Sequence, residues 1–140
     1  MSNSIKQCHL PKDPVQWVKD LEAIWKAHDG YHASEGYTED AVLYWGANQS
    51  QSGVALRERP QKWFSYATDL QINKKYIAHS SNCIVTTWDS NYTDPDNGKK
   101  VIERGIEYFY FQNGLVYEQH AWQSSWNEGE DLDAGEFSTD

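Results

Sequence analysis

The sequence predicts an α+β domain in which a strongly bent, mostly antiparallel sheet wraps around N-terminal helices. Three observations carry this. A hairpin signal runs from Val101 to Trp126, two β-rich stretches joined at Gln112-Asn113-Gly114, where Asn-Gly supplies the positive φ angles of a tight turn. An amphipathic helix signal opens at Asp13-Pro14. The order of elements, helix, helix, strand, helix and then four strands, gathers the helices ahead of most of the sheet.

Each element has a local cause. Asp13 is a good N-cap and Pro14 suits the first helical position. Trp17, Leu21, Ile24 and Trp25 recur at i, i+4, i+7 and i+8, an apolar stripe that must lie on the sheet. Asp29-Gly30 breaks this helix, and Tyr31 to Glu35 form a short second one closed at Gly36. Ala41-Val42-Leu43-Tyr44-Trp45 is a strand ended by Gly46, followed by polar turn material up to Gly53. From Val54 to about Asp69, Leu56, Arg59, Trp63, Phe64 and Ala67 follow helical spacing, while Pro60 either kinks that helix or delays its start. Strands over Leu70–Ser80 and Cys83–Tyr92 flank Ser80-Ser81-Asn82, and a polar loop, Asp94 to Lys100, leads into the hairpin.

Composition narrows the function classes. The 140 residues suit one domain, placed at 13–126, between a flexible N-terminus (1–12) and an acidic, disordered tail (127–140). A net charge of -9 with no basic stripe disfavours nucleic acid, since no cations stand ready to displace counterions. No apolar run approaches the ~20 residues that span a bilayer, and the N-terminus lacks a secretory apolar core, so a cytoplasmic protein without a membrane anchor is expected. Cys8 and Cys83 read as two reduced thiols. Nucleotide-binding loops, G-x-S-x-G and C-x-x-C do not occur, and His28 and His32 lack the glutamate of a zinc helix, so neither cofactor nor metal is expected.

Alternation along the hairpin separates two faces. The odd set holds Glu103, Glu107, Phe109, Tyr117, Gln119, Ala121 and Gln123; the even set holds Arg104, Tyr108, Tyr110, Glu118, His120 and Trp122. Both mix aromatic with polar groups, so one face is expected to line a pocket and the other to meet a helix or a second subunit.

The phrase Tyr37-Thr38-Glu39-Asp40-Ala41-Val42-Leu43-Tyr44-Trp45, the turn ending in Gly53, the helix start Val54-Ala55-Leu56-Arg57-Glu58-Arg59 with Trp63-Phe64, and the closing Tyr108-Phe109-Tyr110-Phe111-Gln112-Asn113-Gly114-Leu115-Val116-Tyr117-Glu118-Gln119 together resemble the NTF2-like superfamily, especially its SnoaL-like branch. The resemblance covers about Pro14 to Trp126. It implies a cone-shaped α+β barrel with a deep pocket and a homodimer formed through the outer sheet face. Members include ketosteroid isomerase, polyketide cyclases, limonene epoxide hydrolase and scytalone dehydratase, alongside proteins that only bind. The isomerase base falls at Trp45, its tyrosine donor near Leu21, and its buried acidic donor at Glu107; the cyclase base falls at Ala121. Glu103 with Arg104 only echoes the Asp-Arg-Asp relay of the epoxide hydrolases, and the histidines do not match the dehydratase pattern.

Glu107 is therefore the leading catalytic candidate: among Ile106, Tyr108 and Phe109 a carboxylate is desolvated, which suits proton transfer. The resemblance directs the odd face inward, with Trp45, Glu103, Phe109, Tyr117, Gln119, Gln123, Trp63 and His28 as ligand-binding candidates. With the opposite register His120 becomes the general base, flanked by Glu118 and Trp122. The surplus of tryptophan suits a small, largely apolar, flat organic ligand. Three outcomes stay open: a cofactor-independent isomerase, dehydratase or cyclase; a non-catalytic binding module; and a protein-interaction partner using the outer face.

Overall fold

The computed structural model describes residues 9–130. In α1 (Pro14–Lys26) the Asp13 side chain accepts the Gln16 N–H at 3.1 Å, and Asp29 does the same for His32 at the start of α2 (Gly30–Glu35). The first strand, β1 (Tyr37–Trp45), begins four residues before the expected Ala41. The stretch expected to be turn contains a short strand, β2 (Gln49–Ser52), paired antiparallel with β1. Neighbouring backbone overrides its polar composition, because an edge strand needs partners on one side only. Helix α3 (Gly53–Tyr66) runs through Pro60, which removes one helix hydrogen bond without delaying the start.

Four long strands complete the chain: β3 (Thr68–His79), β4 (Cys83–Thr93), β5 (Lys100–Gln112) and β6 (Leu115–Asn127). Asn113 and Gly114 close the β5–β6 hairpin with φ of 51° and 82°, the two positive angles that the turn requires. The six strands run in the order β2-β1-β6-β5-β4-β3; β1 and β6 are parallel and the other pairs antiparallel. The sheet is curved and unclosed, with β2 and β3 as its edges, so the α+β architecture is as the sequence predicts. Helix α1 packs on β3, and α3 on β1 and β2 and against α2.

One end of the cone is filled. Val18, Ile84, Phe109, Phe111 and Val116 bury one another, and Trp17 meets Phe109 and Phe111 edge-on at ring distances of 5.0 Å. Each such side chain contributes about 1.5–3 kcal/mol by leaving water. Toward the other end the packed residues include Leu43, Leu56, Ile72 and Trp88, with Trp25 and Trp45 against them, and there the filling is incomplete. Ahead of α1, the His9 carbonyl accepts the Gly114 N–H at 2.8 Å and Leu10 packs on the filled end. The remaining expectations for the two chain ends, Cys8 among them, fall on residues 1–8 and 131–140, outside the described residues. No described helix is long and apolar enough to cross a membrane.

Candidate functional site

A cavity of ≈ 440 Å³ lies between the concave sheet face and helices α1 and α3. Its walls are mostly apolar, with Trp25, Trp45, Trp63 and Trp88 among the residues that form them. A smaller cavity of ≈ 230 Å³ toward the filled end shares Trp25, Tyr37, Lys74, Glu107 and Gln119 with it. A wider hollow of ≈ 780 Å³ lies on the outer face around Arg104, Ile106 and Trp122 and is open to solvent.

Four of these, Tyr37, Lys74, Glu107 and Gln119, join Thr86 in one hydrogen-bonded row. Lys74 Nζ on β3 donates to Glu107 Oε2 at 2.8 Å, and the Thr86 hydroxyl on β4 donates to the same oxygen at 2.9 Å. Gln119 Nε2 on β6 donates to Glu107 Oε1 at 2.9 Å, while the Tyr37 hydroxyl on β1 donates to Gln119 Oε1. Five strands thus contribute one residue each, and the row can exist only once the sheet is assembled. Its geometry follows from the register. Ala121 stands directly opposite Glu107 and is too small to block the diagonal approach of Gln119.

The Lys74–Glu107 pair is dry, with side chains 4% and 6% exposed. Lys74 Nζ also lies 4.8 Å from the Trp25 ring centre and 5.3 Å from that of Trp88, and both ring faces favour the cation. Three donors converge on the two oxygens of Glu107, and a free lone pair remains for a ligand. Burial pushes the Tyr37 phenol up, the Glu107 charge adds to this, and Arg59 opposes it; the hydroxyl stays a donor.

A second row lies alongside. Glu103 Oε1 accepts from the Ser90 hydroxyl at 3.1 Å and Oε2 from Gln123 Nε2 at 2.9 Å. Burial raises the Glu103 carboxyl above its ordinary value, and the two hydrogen bonds only partly offset this. Glu103 and Glu107 are four residues apart on one face of β5, about 13 Å along the strand. Gly105 separates them. A Cβ there would lie 2.2 Å from Trp88 Cη2 and Cζ2, so the absence of a side chain lets the indole lie on β5 as a floor between the two carboxylates.

Helix α3 supplies the lid. Arg59 lines the cavity half-buried, with Nη1 donating to Gln51 Oε1 at 2.8 Å and the guanidinium 4.5 Å from the Trp45 ring centre. Burial lowers its pKa, and no described acidic side chain pairs with it.

Of the residues singled out by sequence, Trp45, Trp63, Glu103, Glu107, Gln119 and Gln123 line this cavity. Phe109 lines the smaller one and packs on Trp17. Tyr117 does not line either: Tyr110 pairs with Glu118 but Phe111 pairs with Val116, so Tyr117 is the extra residue of a bulge and its ring lies near Tyr110. The bulge shifts the parity, burying Val116 instead. His28 is also outside the lining, its Nε2 at 3.0 Å from the Leu70 carbonyl and its ring stacked on Phe64. His32 bonds Asp29 through Nδ1, so the two histidines serve different partners. His120 stacks between Tyr44 and Tyr108 on the outer face, its Nε2 2.7 Å from Glu118, and the reversed register does not occur.

Lys74, Tyr37 and Arg59 were not singled out. Lys74 continues the Leu70, Ile72 alternation of β3, so its inward position was readable; Arg59 shares the helical spacing of Leu56 and Trp63. Tyr37 escaped because β1 starts earlier than its apolar run.

No family model and no curated protein matches the sequence. Solved structures do. The chain superposes on the epoxide hydrolase/cyclase-like enzyme SalBIII, which acts in pyran ring formation in the polyether salinomycin, with a TM-score of 0.68 at 16% identity, covering 79% of this chain and 90% of that one. An NTF2-like protein of unknown function from Cytophaga hutchinsonii matches with a TM-score of 0.61 at 11% identity over 80% and 100% of the two chains. A protein of Mesorhizobium loti described as a SnoaL-like polyketide cyclase matches with 0.58 at 18% identity over 76% and 95%. At these identities the likeness is one of fold.

Proposed function

We propose, on the premise of an NTF2-like fold, that this protein is a cofactor-independent acid–base enzyme acting on a small, largely apolar organic molecule. One observation carries the reading: two buried carboxylates on one face of β5 flank the Trp88 floor in opposed environments. Burial raises the Glu103 carboxyl and so favours its protonated form, whereas Lys74 and two further donors compensate the charge of Glu107. Environments that separate two carboxyl groups in this way assign acid and base roles. Glu107 takes a proton from the ligand and Glu103 gives one to it, with Gln119 and Gln123 holding the two groups in place. Isomerisation, dehydration and ring closure can all use such a pair, and the cyclase-type descriptions of SalBIII and the Mesorhizobium loti protein fall in this class. A cytoplasmic homodimer joined through the outer face completes the reading.

The non-catalytic alternative has its own support. Among the described residues no buried side-chain polar atom lacks a partner, so the rows are complete without a ligand. Trp45 and Ala121 also occupy the positions where the resemblance places bases. Turnover of a panel of bicyclic epoxides, enones and hydroxyketones, followed by chiral chromatography, separates the two. An enzyme loses at least about 100-fold in kcat on Glu107→Gln while ligand affinity survives. A binding module turns over nothing in either form.

A further inference from the structure

We infer that the ligand carries a carboxylate, docked on Arg59 beneath α3; this rests on the reading of the cavity as a site for small organic molecules. Charge is the first argument. The cavity lining holds three cations, Arg59, Lys62 and Lys74, against two carboxylates, Glu103 and Glu107, in a chain whose net charge is -9. Lys74 is consumed by Glu107 at 2.8 Å, and Lys62 at the rim pairs with Glu58 at 3.5 Å. Glu103 is held toward its neutral form by burial. Arg59 is the lining cation that no described carboxylate pairs with.

Hydrogen bonding is the second. A guanidinium has five N–H donors in a planar fork, and Gln51 takes one of them. The Trp45 ring centre lies 4.5 Å from the guanidinium carbon, and among the described residues the bond to Gln51 is the one hydrogen bond the guanidinium makes. A half-buried arginine without a carboxylate partner keeps a cation partly out of water, which is costly unless an anion completes the site. A carboxylate matches the fork with two parallel bonds. Surface charge opposes approach only over about a Debye length, ~8 Å at physiological salt, so repulsion outside does not cancel a desolvated pair inside. The organic body of the ligand then rests among Trp45, Trp63 and Trp88, and its far end reaches Glu103 and Glu107.

The test is calorimetric titration of the full chain with 2-naphthoate and with 2-naphthamide, which share a ring system and differ in charge. The acid is expected to bind at least about tenfold more tightly than the amide, and because the pair is desolvated the preference persists as salt is raised. Arg59→Gln is expected to remove the preference by weakening the acid far more than the amide, and Arg59→Lys to keep part of it. Equal affinity of acid and amide for the wild-type protein, or a preference that persists in Arg59→Gln, overturns the docking role and leaves the cavity reading intact. Failure of both probes to bind a protein that melts cooperatively overturns the cavity reading and this inference together. Where Arg59→Gln does not fold, the wild-type comparison together with Arg59→Lys decides the matter, an undiminished preference in Arg59→Lys overturning the bidentate role.

Discussion

Replacing Lys74 by Met removes the only cation among the described residues bonded to Glu107 and keeps most of the stem that packs between Trp25 and Trp88. With both side chains almost wholly withdrawn from water, the carboxylate left behind has lost its charge partner and keeps two neutral donors, Thr86 and Gln119. Breaking a buried pair on one side costs about 3–5 kcal/mol, a large share of the 5–15 kcal/mol that holds a typical domain folded. The double variant Lys74→Met/Glu107→Gln carries no buried charge, and its neutral amide accepts from Gln119 through its oxygen and donates to the Thr86 hydroxyl once that hydroxyl turns. It is expected to lie within about 1–2 kcal/mol of wild type. Urea unfolding followed by tryptophan fluorescence gives the four stabilities of the cycle, with an unchanged m-value showing that the unfolded state is not the source of the difference. A cost below about 1 kcal/mol for Lys74→Met, or a double variant as unstable as the summed singles, refutes the view that the pair is dry and mutually dependent.

Glu103 governs a pH response. Its folded carboxyl is raised above the ordinary value of 4.5, so between those two points the folded state holds a proton that the unfolded state has released. Stability is then fullest below 4.5 and declines as pH rises through the folded value; Glu103→Gln should flatten this decline in melting curves taken from pH 4 to 8. Gly105→Ala places a Cβ within 2.2 Å of the Trp88 indole and is expected to cost about 1–3 kcal/mol with a changed near-ultraviolet dichroism signal, as the ring is forced off its floor position. Ile106 and Trp122, 44% and 40% exposed on the outer face beside the stacked Tyr108 and His120, should carry the homodimer. Ile106→Asp is expected to yield a monomer in sedimentation velocity, and a wild-type protein that sediments as a monomer removes the dimer from the reading.

Much of the inner face was legible because strand alternation is a local property. Glu103 and Glu107, and with them Gln119 and Gln123, fall on one side of the hairpin whatever the rest of the chain does. The same rule misplaced Tyr117, since a single bulge residue reverses parity beyond it. Nothing in Leu115-Val116-Tyr117 announces that bulge. It is fixed from outside the hairpin, by β1 running parallel to β6 and by the Gly36 carbonyl accepting the Val116 N–H at 2.8 Å.

What the sequence determined by itself was therefore the inventory and the sidedness: capped helices, a hairpin turned at Asn113-Gly114, and two carboxylates facing the same way. What only the tertiary structure decided was which groups stand opposite them. Lys74 is 33 residues from Glu107 and Tyr37 is 82 from Gln119, and no local preference relates such positions. Strand order brings them together, and the chemistry of a buried carboxylate is set by what lies within a few ångströms of it rather than by its neighbours in the chain.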